Sequence, residues 1–267
     1  MKFYDKKNNR LVFIQKKATE EFWEKHWDKY NVEKVIKSAS SSRFLLGYTR
    51  KYLQPGARIL EGGCGLGLYV YCLHVNGYES YGVDYASKTV QQVNQVIPEL
   101  KVFVGDVRAL PFGDGFFDGY WSLGVIEHFY DGFEAAAIEM RRVLRSGGYL
   151  FLTFPCLSYL RRLKIGKNKY KLWQPSREFI DSFYQFALPG EYVHDVFREL
   201  GFELVSRKGI TGLKGFKDEI GPAKLSQLLQ SIYDSTSLIG RALAYGLDMF
   251  LSPLAGHCEM MVFHRQD

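Results

Sequence analysis

Three closely spaced glycines follow a short apolar run in the first third of the chain. Ile59 and Leu60 suit a buried strand, and Gly63, Gly65 and Gly67 come directly after it. Glycines let the backbone approach a ligand closely, and the helix predicted from residue 68 begins at the same point. The pattern therefore predicts a strand, a tight turn and a helix that bind a small charged ligand. The third glycine comes one residue too early for a dinucleotide fingerprint, which disfavours a nicotinamide or flavin cofactor.

Acidic residues end the next predicted strands. Asp84 closes residues 81–84, where a carboxylate can accept hydrogen bonds from both hydroxyls of a ribose. Asp106 follows the strand at 102–104, and its carboxylate with the Val107 N–H can bind the edge of an adenine. The next strand, at 117–122, leads to Glu127 and His128. Each acid alone is often a helix cap or turn residue, but suitable chemistry at three successive strand ends favours a nucleoside-binding edge.

The elements that must position these residues alternate between strand and helix. Strands are predicted at 58–62, 80–84, 101–104, 117–122 and 147–154, and helices at about 66–76, 86–96 and 133–144. This alternation predicts a parallel sheet covered on both faces, and right-handed crossovers make it doubly wound. In such a sheet the ligand lies beyond the carboxyl ends of the strands, where the glycine turn is predicted.

This part of the chain resembles the class I S-adenosylmethionine-dependent methyltransferases, particularly their small-molecule, methyltransferase domain 11-like group. The resemblance covers residues 56–155 and rests on these segments: 59–67, 82–84, 105–107, 110–112, 116–118, 127–128 and 144–148. It implies an α/β fold with a doubly wound, mostly parallel, Rossmann-like seven-stranded sheet and helical lid insertions. It also implies S-adenosylmethionine as the cofactor and methyl transfer as the reaction.

The resemblance assigns roles to individual residues. Glu61 and the glycine turn would approach the methionine part of the cofactor, Asp84 the ribose, and Asp106 with Val107 the adenine. Cys64 occupies a position that is often cysteine in the family, so it is not interpreted as a nucleophile. The implied cofactor-binding set is Glu61, Gly63, Cys64, Gly65, Gly67, Asp84, Tyr85, Gly105, Asp106, Val107, Ser122, Leu123 and Gly124. Tyr85 either packs on the adenine or faces solvent.

His128 is the candidate catalytic residue. Methyl transfer is an in-line displacement in which the protein mainly aligns the reacting atoms, and a general base helps an oxygen or nitrogen acceptor. His128 is the nearest candidate base at the carboxyl edge. The alternative is that it caps the helix predicted to begin near Asp131 or contacts the cofactor.

The chain divides into a helical extension at 1–54 and a methyltransferase domain at 55–267 with insertions at 156–190 and 209–256. The aromatic stripe in 20–30 is interpreted as packing against the main domain rather than as a ligand wall. The last strand is predicted at 259–264. If it is antiparallel, both insertions leave the sheet at the ligand edge and form a lid with the N-terminal helices.

Two segments of the predicted lid bear on the acceptor. Residues 159–173 interleave basic and aromatic residues, typical of a site for a phosphate, a nucleotide-linked sugar, an anionic lipid or nucleic acid, or of a solvated loop. The apolar stretch at 223–251 packs on the sheet or a second subunit, covers an apolar acceptor, or contacts a membrane surface. The first hypothesis is a small-molecule, glycan or lipid-linked acceptor.

Two alternatives remain open. One is an RNA or protein methyltransferase, and the other is a protein that binds the cofactor without turnover. DNA amino-methylation is disfavoured because residues 122–125 replace the Asn/Asp-Pro-Pro-aromatic turn of such enzymes.

Composition sets wider limits. The 267 residues are 46% hydrophobic, enough for a sizeable core, and the net charge of +6 favours anionic partners weakly. Four scattered cysteines are expected to be reduced thiols, and the six histidines form no metal-binding pair. With no membrane-spanning run and no signal-peptide core, a cytoplasmic protein is expected, in which peripheral membrane contact is compatible with the sequence.

Overall fold

The chain begins with a β-hairpin and three helices. A computed structural model describes residues 1–220 and 223–267, and its first elements are β1 (Lys2–Asp5), β2 (Arg10–Ile14), α1 (Glu20–Trp27), α2 (Val32–Ser38) and α3 (Arg43–Tyr52). The predicted helical extension over 1–54 is therefore wrong for the hairpin. The hairpin strands pair with residues far along the chain, and short apolar runs in the sequence do not reveal such long-range pairing.

The central part follows the predicted alternation. Its elements are β3 (Arg58–Gly62), α4 (Leu68–Val75), β4 (Glu79–Asp84), α5 (Ser87–Val96), β5 (Lys101–Val104), β6 (Phe117–Leu123), α6 (Glu134–Val143) and β7 (Leu144–Pro155). A 3₁₀ helix, Ile126–His128, lies between β6 and α6. Each predicted strand and helix of this region is confirmed to within a few residues.

The first insertion contains strands as well as helices. Its elements are α7 (Tyr159–Gly166), β8 (Lys171–Leu172), α8 (Arg177–Asp181) and β9 (Phe183–Ala187). β8 pairs with β1 and β9 with β2, which gives a four-stranded sheet in the order β8-β1-β2-β9. The predicted helical lid insertions are found as α7 and α8, but β8 and β9 are extended because the N-terminal hairpin supplies their pairing partners.

The remaining elements complete the main sheet. They are α9 (Gly190–Glu199), β10 (Phe202–Ile210), α10 (Gly212–Glu219), α11 (Ala223–Tyr233), α12 (Leu238–Ala255) and β11 (Cys258–Arg265). The helical stretch predicted at 223–251 is two helices, since the Ser237 side chain accepts a hydrogen bond from the Gly240 N–H and starts α12 anew. Residues 221–222, inside the predicted insertion at 209–256, lie outside the described residues.

The main sheet has the order β10-β11-β7-β6-β3-β4-β5, with β11 antiparallel to both neighbours. Consecutive strand residues face opposite layers. Leu60 and Tyr120 belong to the core cluster beneath α6 and α9, and Ile59 and Trp121 belong to the cluster beneath α3 and α4. Because both faces of the central strands β3, β6 and β7 are buried, these strands are mostly apolar, whereas the edge strands β5 and β10 are largely exposed. The doubly wound prediction is confirmed.

Both insertions leave the sheet at one edge. β3 to β7 are parallel, so their carboxyl ends lie together. Cys258 pairs with both Pro155 and Ile210, which places the ends of β7 and β10 at that edge too. Among the described residues, no helix combines the length and apolar character needed to span a bilayer.

Candidate active site

The turn after β3 presents backbone at the carboxyl edge. The φ angle is +73° at Gly63, +51° at Gly65 and +67° at Gly67, a left-handed conformation that favours glycine. A Cβ on Gly63 would lie 2.5 Å from Cγ2 of Val125, so a larger residue does not fit there. The Gly63 N–H donates to the Val83 carbonyl at 2.8 Å and fixes the turn against β4.

Asp84 lies directly beside this turn. One carboxylate oxygen accepts from the Gly65 N–H at 2.7 Å and the other accepts from the Ala86 N–H at 2.9 Å. Burial raises the pKa of Asp84, and the backbone hydrogen bonds oppose that rise. The structure thus brings the predicted ribose-binding acid and the predicted glycine turn into direct contact.

Glu61 is a buried carboxylate with an unused oxygen. The residue is 4% exposed, and Oε2 has no hydrogen-bond partner within residues 1–220 and 223–267. Burial raises the pKa of Glu61 well above its ordinary value, and the nearby Asp84 carboxylate raises it further. A cationic ligand group between two such carboxylates would relieve both effects.

The end of β6 supplies the neighbouring wall. Ser122 pairs in register with Gly62, and its fully buried hydroxyl lacks a hydrogen-bond partner in the described part of the chain. Leu123 ends the strand, and Gly124 follows with a φ of +71° while its N–H donates to the Thr153 carbonyl at 3.0 Å. The three predicted residues therefore lie next to the glycine turn.

Asp106 lies at the same edge but is already paired. Its carboxylate binds the Arg108 guanidinium through three contacts of 2.6 to 3.1 Å, and its side chain is 44% exposed. The Gly105 N–H donates to the Asp84 carbonyl at 3.0 Å, and Val107 is buried. An adenine amine would have to share the Asp106 carboxylate with Arg108.

Helix α1 lies over the glycine turn. A Cβ on Gly65 would be 2.7 Å from Cζ2 of Trp27, and the Tyr85 hydroxyl donates to the Ala18 carbonyl at 3.1 Å. No residue of α1 is fully buried. The interpretation of the aromatic stripe as packing alone is therefore incomplete, because Trp27 forms a wall of the candidate site. The helical spacing of the aromatic residues shows that they share one face of α1. It does not show which part of the protein that face contacts.

His128 has the protonation state of a base. Its Nδ1 is 2.7 Å from the Tyr184 carbonyl, and since a carbonyl only accepts, Nδ1 carries the proton and Nε2 keeps its lone pair. Burial lowers the pKa of His128, which favours the neutral ring. The ring contacts Trp23 at a centroid distance of 5.3 Å. α6 begins at Glu134 without a side-chain cap, so His128 is not its cap.

Glu127 is a site residue to which sequence reasoning gave no role. Its side chain is 3% exposed, Oε2 is without a hydrogen-bond partner among the described residues, and Oε1 lies against Gly124. Burial raises the pKa of Glu127 to about 8, against the opposing charge of Lys214 in α10. In the sequence, only its position beside His128 pointed to a role for Glu127 in the site. Its burial could not be predicted, because it depends on elements distant in sequence.

The cysteines and histidines show no arrangement for a metal or a thiolate. Cys64, Cys72, Cys156 and Cys258 are free thiols. Burial raises the pKa of the Cys64 thiol well above its ordinary value, which opposes formation of a nucleophilic thiolate. Residues 1–220 and 223–267 contain no cluster of three or more His, Cys, Asp or Glu side chains that could hold a metal ion.

Comparisons with known proteins agree with this site. Residues 60–152 match the family model of a methyltransferase domain. The chain is 28% identical over 181 residues to a fatty-acid O-methyltransferase of Mycolicibacterium smegmatis, covering 66% of this chain and 59% of that protein. It is 38% identical over 109 residues to a probable tRNA methyltransferase 9B of Mus musculus, covering 39% and 23%. The chain thus spans less than two thirds of these curated relatives.

A solved structure supports the fold. The crystal structure of a putative sarcosine dimethylglycine methyltransferase from Galdieria sulphuraria superposes with a TM-score of 0.53 at 17% identity, covering 84% of this chain and 85% of that one. The unused oxygen of Glu61 beside Asp84 and the glycine turn fits a ligand with a cationic amino acid end and a ribose. Residues 60–152 thus match a methyltransferase domain, and the fold of the chain agrees with that of the solved methyltransferase structure.

Proposed function

We propose that this chain transfers a methyl group from S-adenosylmethionine to an oxygen, nitrogen or carbon atom of a small-molecule, glycan or lipid-linked acceptor. The observation that carries the proposal is the pair of buried carboxylates, Glu61 and Asp84, at the glycine turn. Glu61 would hold the methionine end of the cofactor and Asp84 the ribose. Asp106 and the Val107 N–H would bind the adenine.

Bound S-adenosylmethionine supplies a methyl group on a positively charged sulfur, and the carbon–sulfur bond breaks as the bond to the acceptor forms. The chain's own residues align and shield this step. Trp27 on α1 covers the glycine turn and excludes water. His128 takes the proton that an oxygen or nitrogen acceptor releases, at Nε2, while the Tyr184 carbonyl holds the Nδ1 proton.

The acceptor class is supported by similarity and by charge. The longer of the two matches is to a relative named for a fatty acid, which favours an acceptor with an apolar chain. The tRNA relative matches over fewer residues, and the basic segment 156–172 is the part of this chain that an RNA would contact. A lipid-like acceptor is therefore the first candidate and RNA the alternative.

Calorimetry with S-adenosylmethionine and, separately, NADH tests the cofactor. We expect micromolar binding of the first and a loss of at least about tenfold in affinity for Asp84→Ala, because charged hydrogen bonds to the ribose are removed. Asp195→Ala is the matched control, since Asp195 is half exposed on α9. Absence of S-adenosylmethionine binding, or tighter binding of NADH, would contradict the proposal.

Turnover then separates the acceptor classes. Purified protein and tritiated S-adenosylmethionine are incubated with fatty acids, with hydroquinones carrying an apolar tail, with total RNA and with protein. Label in an organic extract supports the first candidate, and label in RNA or protein supports the alternative. Cofactor binding without label in any fraction favours a non-catalytic binding protein.

A further inference from the structure

Two polar residues of helix α12, Asp248 and Ser252, face inward. The Asp248 carboxylate accepts from the Leu213 N–H at 3.1 Å, and the Ser252 hydroxyl accepts from the Gly212 N–H at 3.1 Å. Ala255 is also buried on this side. The only acid of α12 is therefore used to fix the helix against α10.

The opposite side of α12 is apolar and open to solvent. Leu238 and Ile239 are each 84% exposed and Phe250 is 74% exposed. At 100° per residue, the exposed large apolar side chains lie on one half of the helix over its 18 residues: Leu238, Ile239, Leu243, Tyr245, Met249, Phe250 and Leu254. Arg241 falls outside this half. A contiguous apolar face of this kind marks an interaction site, unlike isolated exposed side chains.

A cationic segment adjoins this apolar face. Helix α7 packs against α12, and residues 156–172 contain six Lys or Arg residues and no Asp or Glu. Arg161 is buried, whereas Lys167, Lys169 and Lys171 are exposed. Two further apolar side chains of α7, Tyr159 and Leu163, are 58% and 42% exposed. Apolar and cationic groups are therefore presented together.

We propose that α12 and α7 dock this protein on the surface of an anionic lipid bilayer. The apolar face of α12 would lie among the headgroups and upper acyl chains, and the cations of 156–172 would face acidic headgroups. Charge complementarity favours this occupant over a second copy of the chain. A twofold contact through α12 would bring two such segments, each with the exposed Lys167, Lys169 and Lys171, towards each other, whereas an anionic bilayer neutralises them.

The docking surface lies at the same end of the sheet as the candidate active site. α10 to α12 leave the main sheet after Ile210 and return at Cys258, at the carboxyl edge that carries the glycine turn. A bilayer held there would present amphiphilic acceptors near His128. This last step rests on the proposed function, whereas docking itself does not.

Vesicle flotation tests the docking surface. The full chain is mixed with vesicles of phosphatidylcholine alone or with phosphatidylglycerol added, and bound protein is measured after centrifugation. We expect flotation with the anionic vesicles, a loss of at least about tenfold in partitioning for I239S/F250S, and a loss for K167E/K169E that high salt reproduces. Both variants change exposed side chains, so thermal unfolding should match the wild type.

Matched controls make the same types of substitution elsewhere on the surface and so test whether their position matters. I138S/V75S removes two apolar side chains that are 54% and 47% exposed on α6 and α4, and K34E/K51E makes the same change in net charge elsewhere. Both should float like the wild type.

Three outcomes would overturn the proposal. They are a wild type that stays unbound with anionic vesicles, equal losses in variants and controls, and a dimer that I239S/F250S dissociates without any vesicle binding. Because no methyl transfer is measured, failure of the proposed function would not affect this result.

Discussion

Two clusters of buried charge in this molecule differ in how their polar atoms are satisfied. In the lobe formed by the insertions, Arg161 is fully buried and its Nε donates to Glu219 at 3.2 Å. The Glu219 carboxylate also accepts from Lys164 at 2.6 Å, Lys2 at 2.8 Å and Tyr170 at 2.6 Å. These contacts join the first strand, α7 and α10 into one unit.

The cluster at the carboxyl edge has the opposite property. Glu61, Ser122 and Glu127 are as buried as Glu219, yet each keeps an oxygen without a hydrogen-bond partner in the part of the chain that the structure describes. Unpaired buried oxygens cost stability unless something else satisfies them. From this comparison we expect the first cluster to serve folding and the second to bind a ligand.

The largest expected effect is that of Glu219→Ala on stability. The substitution leaves the Arg161 guanidinium buried without its partner, and we expect a loss of about 3–5 kcal/mol in the free energy of unfolding. Urea denaturation measures it, with Glu219→Gln as the milder variant if the alanine variant does not fold. Glu33→Ala, which removes an exposed pair with Lys37, should leave the free energy of unfolding nearly unchanged. Equal stability of both would mean that the lobe network is not structural.

His128→Asn should lower kcat about a hundredfold and leave the affinity for S-adenosylmethionine unchanged. The amide can still donate to the Tyr184 carbonyl but has no basic nitrogen for the acceptor's proton. Steady-state kinetics and calorimetry measure the two quantities, and His74→Asn on the exposed side of α4 is the control. A parallel loss of cofactor affinity would refute the assignment of His128 as a base.

Glu61→Gln should weaken the binding of S-adenosylmethionine without lowering the stability of the protein. We expect the affinity for S-adenosylmethionine to fall about tenfold to a hundredfold, because a charged hydrogen bond to the methionine end is lost. Stability should be unchanged or higher, since a neutral amide is easier to bury than a carboxylate. Glu203→Gln, an exposed substitution in β10, is the control. A large loss of stability would show that Glu61 stabilises the fold as Glu219 is expected to, and the two clusters would then not differ in function.

The two clusters should also give opposite pH dependences of stability. The pKa of Glu219 is lowered to about 2 by its cationic and hydrogen-bond partners against the effect of burial, so its contribution is present above about pH 4.5 and is lost as the pH falls towards 2. The pKa of Glu127 is raised to about 8, so the folded protein holds a proton that the unfolded chain releases. Stability should therefore decline between about pH 4.5 and 8, by at most about 1.4 kcal/mol per pH unit.

Urea denaturation from pH 3 to 9 measures both dependences. Glu127→Gln should lessen the decline towards pH 8, to which the raised pKa values of Glu61 and Asp84 also contribute, and it should leave the acid side unchanged. Glu219→Gln should lessen the loss at acid pH and leave the decline towards pH 8 unchanged. An unchanged decline in Glu127→Gln would show that another group is responsible.

The cofactor edge was predictable because its information is local. Gly63, Asp84 and Ser122 each follow a strand that its own apolar run identifies, and parallel strands bring their carboxyl ends together. The roles of the predicted cofactor residues, and of His128 as a base, stay predictions that the variants above test. The partner of Asp106 was not predictable in the same way, because Arg108 is close in sequence but only its rotamer decides the pairing.

The sequence by itself determined the alternating elements, the doubly wound sheet, the position of the last strand and the resemblance to a methyltransferase domain. These follow from apolar periodicity and turn chemistry within windows of about ten to twenty residues. Tertiary structure alone decided the second sheet, the position of Trp27 on the glycine turn, the burial of Glu127 and the outward apolar face of α12. Each depends on contacts between residues far apart in the chain, and local periodicity shows which face of an element is apolar but not what lies against it.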